Sequence, residues 1–301
     1  MSLDGLVVID KPTGMTSQQA VNRVKHRLAN EAGVPAKKLK AGHAGTLDPM
    51  ATGVLVVGLG RATRLLGFIL GHDKQYRATI RLGQATTTDD AEGEPLGPPI
   101  AAAGVTDAAI SAGVAELTGD IQQVPSAVSA IKVDGKRAYT LARAGQQFEL
   151  ASRSVTVSCF EVLARRDAAP FVDLDVVVDC SSGTYIRALA RDLGQKLGVG
   201  GHLTALRRTR VGAFDVEAAV PPDDVDWAGV TSLNDAVPNL FETVTIGAAE
   251  AADVSHGRPL GVVVPANPSA VMGPAGEFLA LYQPDGKRCV PLAVFVGGGN
   301  Q

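Results

Sequence analysis

The strongest constraint on this chain is residues 42–55, Gly-His-Ala-Gly-Thr-Leu-Asp-Pro-Met-Ala-Thr-Gly-Val-Leu, where a lone carboxylate stands on a glycine-rich turn just ahead of an apolar strand. Asp48-Pro49 favours a turn, and Gly42, Gly45 and Gly53 permit backbone angles and close approaches that other residues resist. Val54 to Val57 then reads as the buried strand that anchors the loop. Asp48 is therefore expected at the rim of a sheet, facing a cleft. Asp-Pro also occurs in many surface turns, so the neighbouring segments must decide whether this carboxylate does chemistry.

Along the chain the pattern is mixed α/β. Leu6 to Ile9 reads as a short buried strand ending at Ile9. Thr16 with Gln19 forms a capping-box pattern, after which Ala20, Val21, Val24 and Leu28 recur at helical spacing, predicting about four turns. Tyr76 to Leu82 alternates as a strand, whereas the acidic run Asp89 to Glu94, with Pro95, Gly97, Pro98 and Pro99 behind it, reads as a surface loop or linker. An Asp-Gly turn at 134–135 follows an apolar, β-branched run and precedes a helical-looking Tyr139 to Arg143. Val172, Leu174, Val176 and Val178 alternate with Asp173 and Asp175 as a strand with one wetter face. That strand delivers the Cys180 to Thr184 turn. Beyond it, Ile186, Leu189, Ala190, Leu193 and Leu197 share one helical face, so Arg187 and Arg191 emerge together on another. One of the two can then reach a carboxylate and the other a phosphate. From Pro221 the chain is rich in Pro and Gly with short apolar runs, Phe278 to Tyr282 and Val290 to Phe295, which suggests a small β domain.

Charge is informative in its distribution. The net charge of -3 is unremarkable, but Arg187, Arg191, Lys196, Arg207, Arg208 and Arg210 oppose only Asp192 between them. Arg23, Lys25, Arg27, Lys37, Lys38 and Lys40 form a second basic cluster. Two such clusters suit a polyanion groove, although runs of Lys and Arg also serve as solvated helix faces. After Pro221 nine acidic residues oppose Arg258, Lys287 and Arg288, so the tail is poorly suited to gripping a polyanion. Three cysteines, Cys159, Cys180 and Cys289, lack paired spacing and are expected as reduced thiols. The five histidines form no ligand cluster, Gly58-x-Gly60 is not continued as a dinucleotide fingerprint, and no P-loop occurs, so neither a metal nor a cofactor is expected. No run of apolar residues is long enough for a membrane span, and nothing directs the chain out of the cytoplasm.

The Gly42 to Leu55 stretch resembles the signature of the bacterial TruB-type pseudouridine synthases, which isomerise the T-loop uridine of transfer RNA. Four more segments match that family in order: Lys11-Pro12-Thr13-Gly14-Met15-Thr16-Ser17, Lys74-Gln75-Tyr76-Arg77-Ala78, Cys180 to Ala190, and Leu206 to Phe214. The resemblance implies an α/β (α+β) pseudouridine synthase fold with a mixed, mainly antiparallel sheet over residues 1–228, an RNA-clamping insertion near 124–152, and a PUA-like β tail over 229–301. It assigns the catalytic carboxylate to Asp48, its ion-pair partner to Arg187, and contact with a flipped uracil, with help at the C5 proton, to Tyr76. Tyr185 and Leu206 would shape the pocket, and His43 would fill the gap left in the RNA stack. For the Lys11 to Gly14 segment a plain turn and cap is preferred to a catalytic role. The implied substrate is transfer RNA through its T stem-loop, handled by a cytoplasmic monomer with no protein partner. Two rivals stay open: an RNA-binding or RNA-folding module, and a carboxylate-dependent hydrolase, which would need a second catalytic carboxylate near Asp48.

Overall fold

The computed structural model describes residues 3–126, 132–133, 136–137 and 150–296. Its main body is built from β1 (Gly5–Lys11), α1 (Ser17–Glu31), β2 (Ala41–His43), β3 (Thr52–Leu59), α2 (Leu66–Leu70), β4 (Lys74–Leu82), α3 (Asp107–Glu116) and β5 (Gly119–Gln123). It continues through the short hairpin β6 (Lys132–Val133) and β7 (Lys136–Arg137), then β8 (Arg153–Ala168), β9 (Phe171–Cys180), α4 (Ile186–Lys196), β10 (Gly201–Val211) and β11 (Phe214–Asp215). Nine strands form one sheet in the order β1-β3-β10-β4-β9-β8-β5, with β2 also on β3 and β11 on β10. Every pairing is antiparallel except β3 with β10. The expected mixed, mainly antiparallel sheet is therefore present.

Strand β1 runs to Lys11, two residues past the expected end at Ile9, because Asp10 and Lys11 pair in register with Val54 and Gly53. Register outweighs side-chain polarity at that end of the strand. Helix α1 starts at the Thr16–Gln19 capping box and buries Ala20, Val21, Val24 and Leu28 against β3. Helices α3 and α4 cover the β4–β9–β8 part of the sheet through Ile110, Val114, Leu189 and Leu193.

What positions the site is a division of the β3 edge. Its start, Thr52 and Gly53, pairs with β10, while its end, Val57 to Leu59, pairs with β2. The chain between β2 and β3 therefore spans the place where the two neighbours part, and this span carries Asp48. Gly53 makes the β10 contact possible: its φ is +102°, and a Cβ there would lie 2.1 Å from the Arg208 carbonyl oxygen.

The tail contains α5 (Leu233–Ala236), β12 (Thr243–Thr245), α6 (Ala248–Ser255), β13 (Ser269–Met272), β14 (Phe278–Asp285) and β15 (Arg288–Val294), with a four-stranded sheet in the order β12-β13-β14-β15. This is the small β unit expected from the apolar runs. It shares a core with the main body, since Ala270, Met272, Phe278, Leu281 and Phe295 pack with Leu6, Val54, Val56 and Leu65. Arg61 adds a hydrogen bond to the Phe295 carbonyl at 2.6 Å. The β6–β7 hairpin brackets the expected Asp-Gly turn. The turn itself, the helical-looking 139–143 and most of the expected 124–152 insertion lie outside the described residues.

Candidate active site

The Asp48 loop is held from beneath by the segment read from sequence as a plain turn and cap. Buried Ser17 accepts a hydrogen bond from the Leu47 amide at 2.8 Å and donates to the Leu47 carbonyl at 3.0 Å. The Gly14 amide donates to the Pro49 carbonyl at 2.8 Å, and the Thr13 hydroxyl to the Met50 carbonyl at 3.2 Å. The fully buried Lys11 ammonium donates to the carbonyls of Pro12, Met15 and Pro49 at 2.9, 2.6 and 3.3 Å. Burial pushes its pKa down to about 8, against the pull of Asp48. Residues 11–17 are thus a scaffold that sets the height of the Asp48 backbone.

Asp48 lines a cleft of about 380 Å³ together with Lys74, Tyr76, Tyr185, Arg187, Leu206 and Arg208. Its carboxylate is half-buried and receives Arg187 Nε at 2.9 Å, whereas the Arg187 side chain is 5% exposed. Arg187 Nη1 turns the other way, donating to the Thr88 carbonyl at 2.9 Å and lying 3.4 Å from Asp90 Oδ2. One guanidinium therefore joins two carboxylates, and its orientation is fixed from the side away from the cleft. Burial pushes the Asp48 carboxyl above the ordinary carboxylate range; Arg187 opposes this and Asp90 adds to it. Arg187, expected as the ion-pair partner of Asp48, is placed there, and it is shared with Asp90.

Asp89 and Asp90 correct one expectation. They are buried, not part of a surface linker. Thr86 donates to the Asp90 carbonyl at 2.7 Å, the Thr88 hydroxyl and Glu92 amide bond the Asp90 carboxylate at 2.5 and 3.1 Å, and the Leu203 amide donates to the Asp89 carbonyl at 3.0 Å. The signal was available in Thr86-Thr87-Thr88-Asp89-Asp90, a run of side chains that fold back onto their own backbone. Arg191, expected to face phosphate if Arg187 took a carboxylate, also meets carboxylates, Asp192 at 2.8 Å and Asp89 at 3.3 Å. Asp90 does not line the cleft, so it does not furnish the second catalytic carboxylate that a hydrolase would use.

Tyr76 is buried on β4 and burial pushes its phenol pKa up, so the hydroxyl is neutral near pH 7. Leu206, on β10, lines the same cleft. Tyr185 sits at the start of α4, with its amide and carbonyl clasped by the Gln123 side chain at 2.8 and 3.1 Å. His43 stands on β2, apart from the cleft lining. Burial and Arg208 push its pKa down, and its buried Nδ1 has no partner among the described residues. Sequence reading also missed the weight of Arg208, which is 1% exposed and donates to the Val54 and Gly45 carbonyls at 2.8 and 3.0 Å. Its neighbour Arg207 is instead half-exposed and paired with Asp10 at 2.6 Å. Among the described residues no group of three or more His, Cys, Asp or Glu side chains could hold a metal ion.

A carboxylate held by a buried arginine in a cleft, beside a neutral phenol and two further cations, is an arrangement able to present an ionised nucleophile or base and to receive negative charge. The family description "TruB family pseudouridylate synthase (N terminal domain)" matches residues 34–186, with "tRNA pseudouridylate synthase B C-terminal domain" over 187–238 and "tRNA Pseudouridine synthase II, C terminal" over 241–296. The chain is 56% identical to the tRNA pseudouridine synthase B of Nocardia farcinica, over 97% of this chain and 93% of that one. It is 54% identical to that of Rhodococcus jostii, over 96% and 93%. Among solved structures it resembles a chain of an H/ACA RNP bound to a substrate RNA containing 2'-deoxyuridine, with TM-score 0.67 and 25% identity over 97% of this chain and 85% of that one. An archaeal box H/ACA sRNP Nop10–Cbf5 complex gives TM-score 0.65 and 26% identity over the same shares. The chain belongs to the TruB family of pseudouridine synthases.

Proposed function

We infer that this protein isomerises uridine to pseudouridine in transfer RNA, and that its target is the T-loop uridine, position 55. The reaction breaks the bond from C1' to N1, turns the freed uracil and rejoins it through C5. One C5 proton is given up and N1 gains one, so nothing is consumed. The observation that carries the assignment of roles is the Asp48–Arg187 pair at 2.9 Å in the wall of a cleft that also contains Tyr76. Asp48 is the catalytic carboxylate, acting at C1' or C6 or promoting a glycal route. Arg187 orients it and Tyr76 packs against the ring. Leu206 and Tyr185 close the pocket, and His43 lies outside it, where the RNA stack is opened. Flipping the base costs a few kcal/mol, which contacts in the cleft must offset.

Catalysis belongs to residues 1–228, and residues 229–301 form the PUA-like tail, whose acidic character leaves RNA contact mainly to the first unit. We further propose a monomer acting in the cytoplasm; among the described residues no helix is long and apolar enough to cross a membrane. The test is tritium release from a transfer RNA transcript labelled at uridine C5, with wild type and Asp48→Asn side by side. About one equivalent should be released by the wild type and none by the variant, with release lost when the T-loop uridine is replaced. Binding without release by the wild type would favour an RNA-folding module.

A further inference from the structure

The base of the cleft holds more positive charge than the Asp48–Arg187–Asp90 chain uses. Lys74 is 5% exposed and donates to the Leu70 and His72 carbonyls at 2.9 and 2.7 Å. An ammonium has three donors, so one is left over. Arg208 uses Nε and Nη2 on carbonyls and also reaches the Tyr76 phenol, so its guanidinium faces the cleft beside that ring. The two cations converge on Gly45: a Cβ built there would lie 3.4 Å from Arg208 Nη1 and 3.8 Å from Lys74 Cε.

Among the described residues neither cation has a carboxylate within salt-bridge reach. The acid nearest Lys74 in sequence, Asp73, is taken by Arg210 at 2.8 Å. Cys180, on the adjoining strand β9, is kept a neutral thiol by burial, which pushes its pKa up to about 11. Burying a cation without a counter-charge is costly, and burial lowers the Lys74 pKa to about 8; an anion arriving in the cleft holds the ammonium protonated. Both side chains line the cleft that Asp48 lines, so the anion must form or bind there.

We propose that Lys74, with Arg208 behind it, is a catalytic electrostatic group that stabilises the negative charge on the uracil ring between loss of the C1'–N1 bond and formation of the C1'–C5 bond. This rests on the reading of the site as pseudouridine-forming. When C1'–N1 breaks, its electron pair passes to N1 and spreads onto O2 and O4, while C1' bonds to the Asp48 carboxylate, or Asp48 takes the C2' proton and leaves the glycal. The detached ring is then an anion. Lys74 offers it the spare donor, and the charge is discharged when C5 bonds to C1' as the Asp48–C1' bond breaks, or as Asp48 returns the C2' proton to the glycal; the C5 proton then leaves and N1 is protonated. Lys74 is the group to test, because Arg208 also ties β10 to β3 and the Asp48 loop.

Single-turnover rates and RNA affinity should be measured for wild type, Lys74→Gln and Lys74→Arg, on T stem-loop RNA carrying uridine or 5-fluorouridine. Lys74→Gln should lose about 10²-fold in rate with affinity nearly unchanged, the scale of removing one donor from a developing anion. Lys74→Arg should recover most of it. Fluorine at C5 stabilises the ring anion, so the Lys74→Gln loss in C1'–N1 cleavage should shrink several-fold on 5-fluorouridine. An unchanged rate, an equal loss on both substrates, or weakened affinity with a salt slope reduced by about one, as a phosphate contact would give, overturns the proposal. Wild-type protein supplies a measurement independent of variant folding. With a T stem-loop abasic at the target position, 5-nitrouracil, anionic at neutral pH, should bind at least about tenfold more tightly than uracil. Equal binding overturns the proposal. If wild type forms no pseudouridine at all, the functional reading fails; if it does and Lys74→Gln is unimpaired, only the role of Lys74 fails.

Discussion

Gly53→Ala tests the claim that the site depends on a single close approach between β3 and β10. Gly53 has φ +102°, where an L side chain costs about 1–2 kcal/mol. The added Cβ would sit 2.1 Å from the Arg208 carbonyl oxygen and 2.9 Å from both its carbonyl carbon and its amide nitrogen. All three atoms are backbone, so no side chain can swing aside. Reaching ordinary contact at 3.4 Å requires the strands to part by about 1.3 Å. Their parallel pairing consists of Arg207 with Thr52 and Arg208 with Gly53, so that movement disrupts the whole junction. Losing one or two buried hydrogen bonds costs about 1–3 kcal/mol each, and with the backbone strain the total is about 2–8 kcal/mol. Gly119→Ala is the control: φ is +93° there, but nothing lies within 4 Å of the added Cβ, so only the strain of about 1–2 kcal/mol applies. Denaturant unfolding can be followed through Trp227, the only tryptophan, which packs in the same core as β3. Gly53→Ala should also lose turnover below its melting range, because β10 carries Leu206 and Arg208 into the cleft. The reasoning is refuted if Gly53→Ala is no more destabilising than Gly119→Ala.

The raised Asp48 pKa gives two signed outcomes. Its ionised form is disfavoured in the folded state, so stability falls as pH rises from the unfolded carboxylate value through the native one, and the penalty is complete above the native pKa. Asp48→Asn should therefore be at least as stable as wild type at neutral pH by thermal melting while inactive, and a lower melting temperature would contradict this. Because turnover needs the carboxylate, the acid limb of the rate profile should lie above the ordinary carboxylate range; Asp90→Asn should move it to lower pH, and movement the other way would show that Asp90 acts mainly by holding Arg187. Ser17→Ala leaves the Leu47 amide and carbonyl unpaired in a buried place, so a loss of about 1–3 kcal/mol with a fall in kcat is expected, read by unfolding and tritium release. Arg207→Glu should weaken RNA binding and lower the salt slope, but by less than a full charge reversal would give, since Arg207 already pairs with Asp10; a slope change of about two or more would mean that this pair opens on binding.

Much of this arrangement is legible in the order of residues, and the reason is locality. The capping box of α1, the alternation of β4 and β9, the glycine-rich turn ahead of β3 and the apolar runs of the tail are fixed by neighbours a few residues away, and each was found where the pattern put it. Asp48, Tyr76, Leu206 and the pair Tyr185 and Arg187 sit in four separate segments, yet their motifs marked them and the fold brings them to one cleft. What the sequence could not show is charge balance across the chain. Whether Asp90 is a solvated acid or the second ligand of Arg187, and whether Arg207 or Arg208 faces inward, depends on register and burial. Likewise the Lys11 to Ser17 segment is a turn by its own residues and a support for Asp48 only because β1 and α1 fold against residues 47–50. Local chemistry set the elements and put Asp48 on its turn; long-range packing decided its charge, its partners and the cations around it, because a buried charge takes its energy from every group that surrounds it.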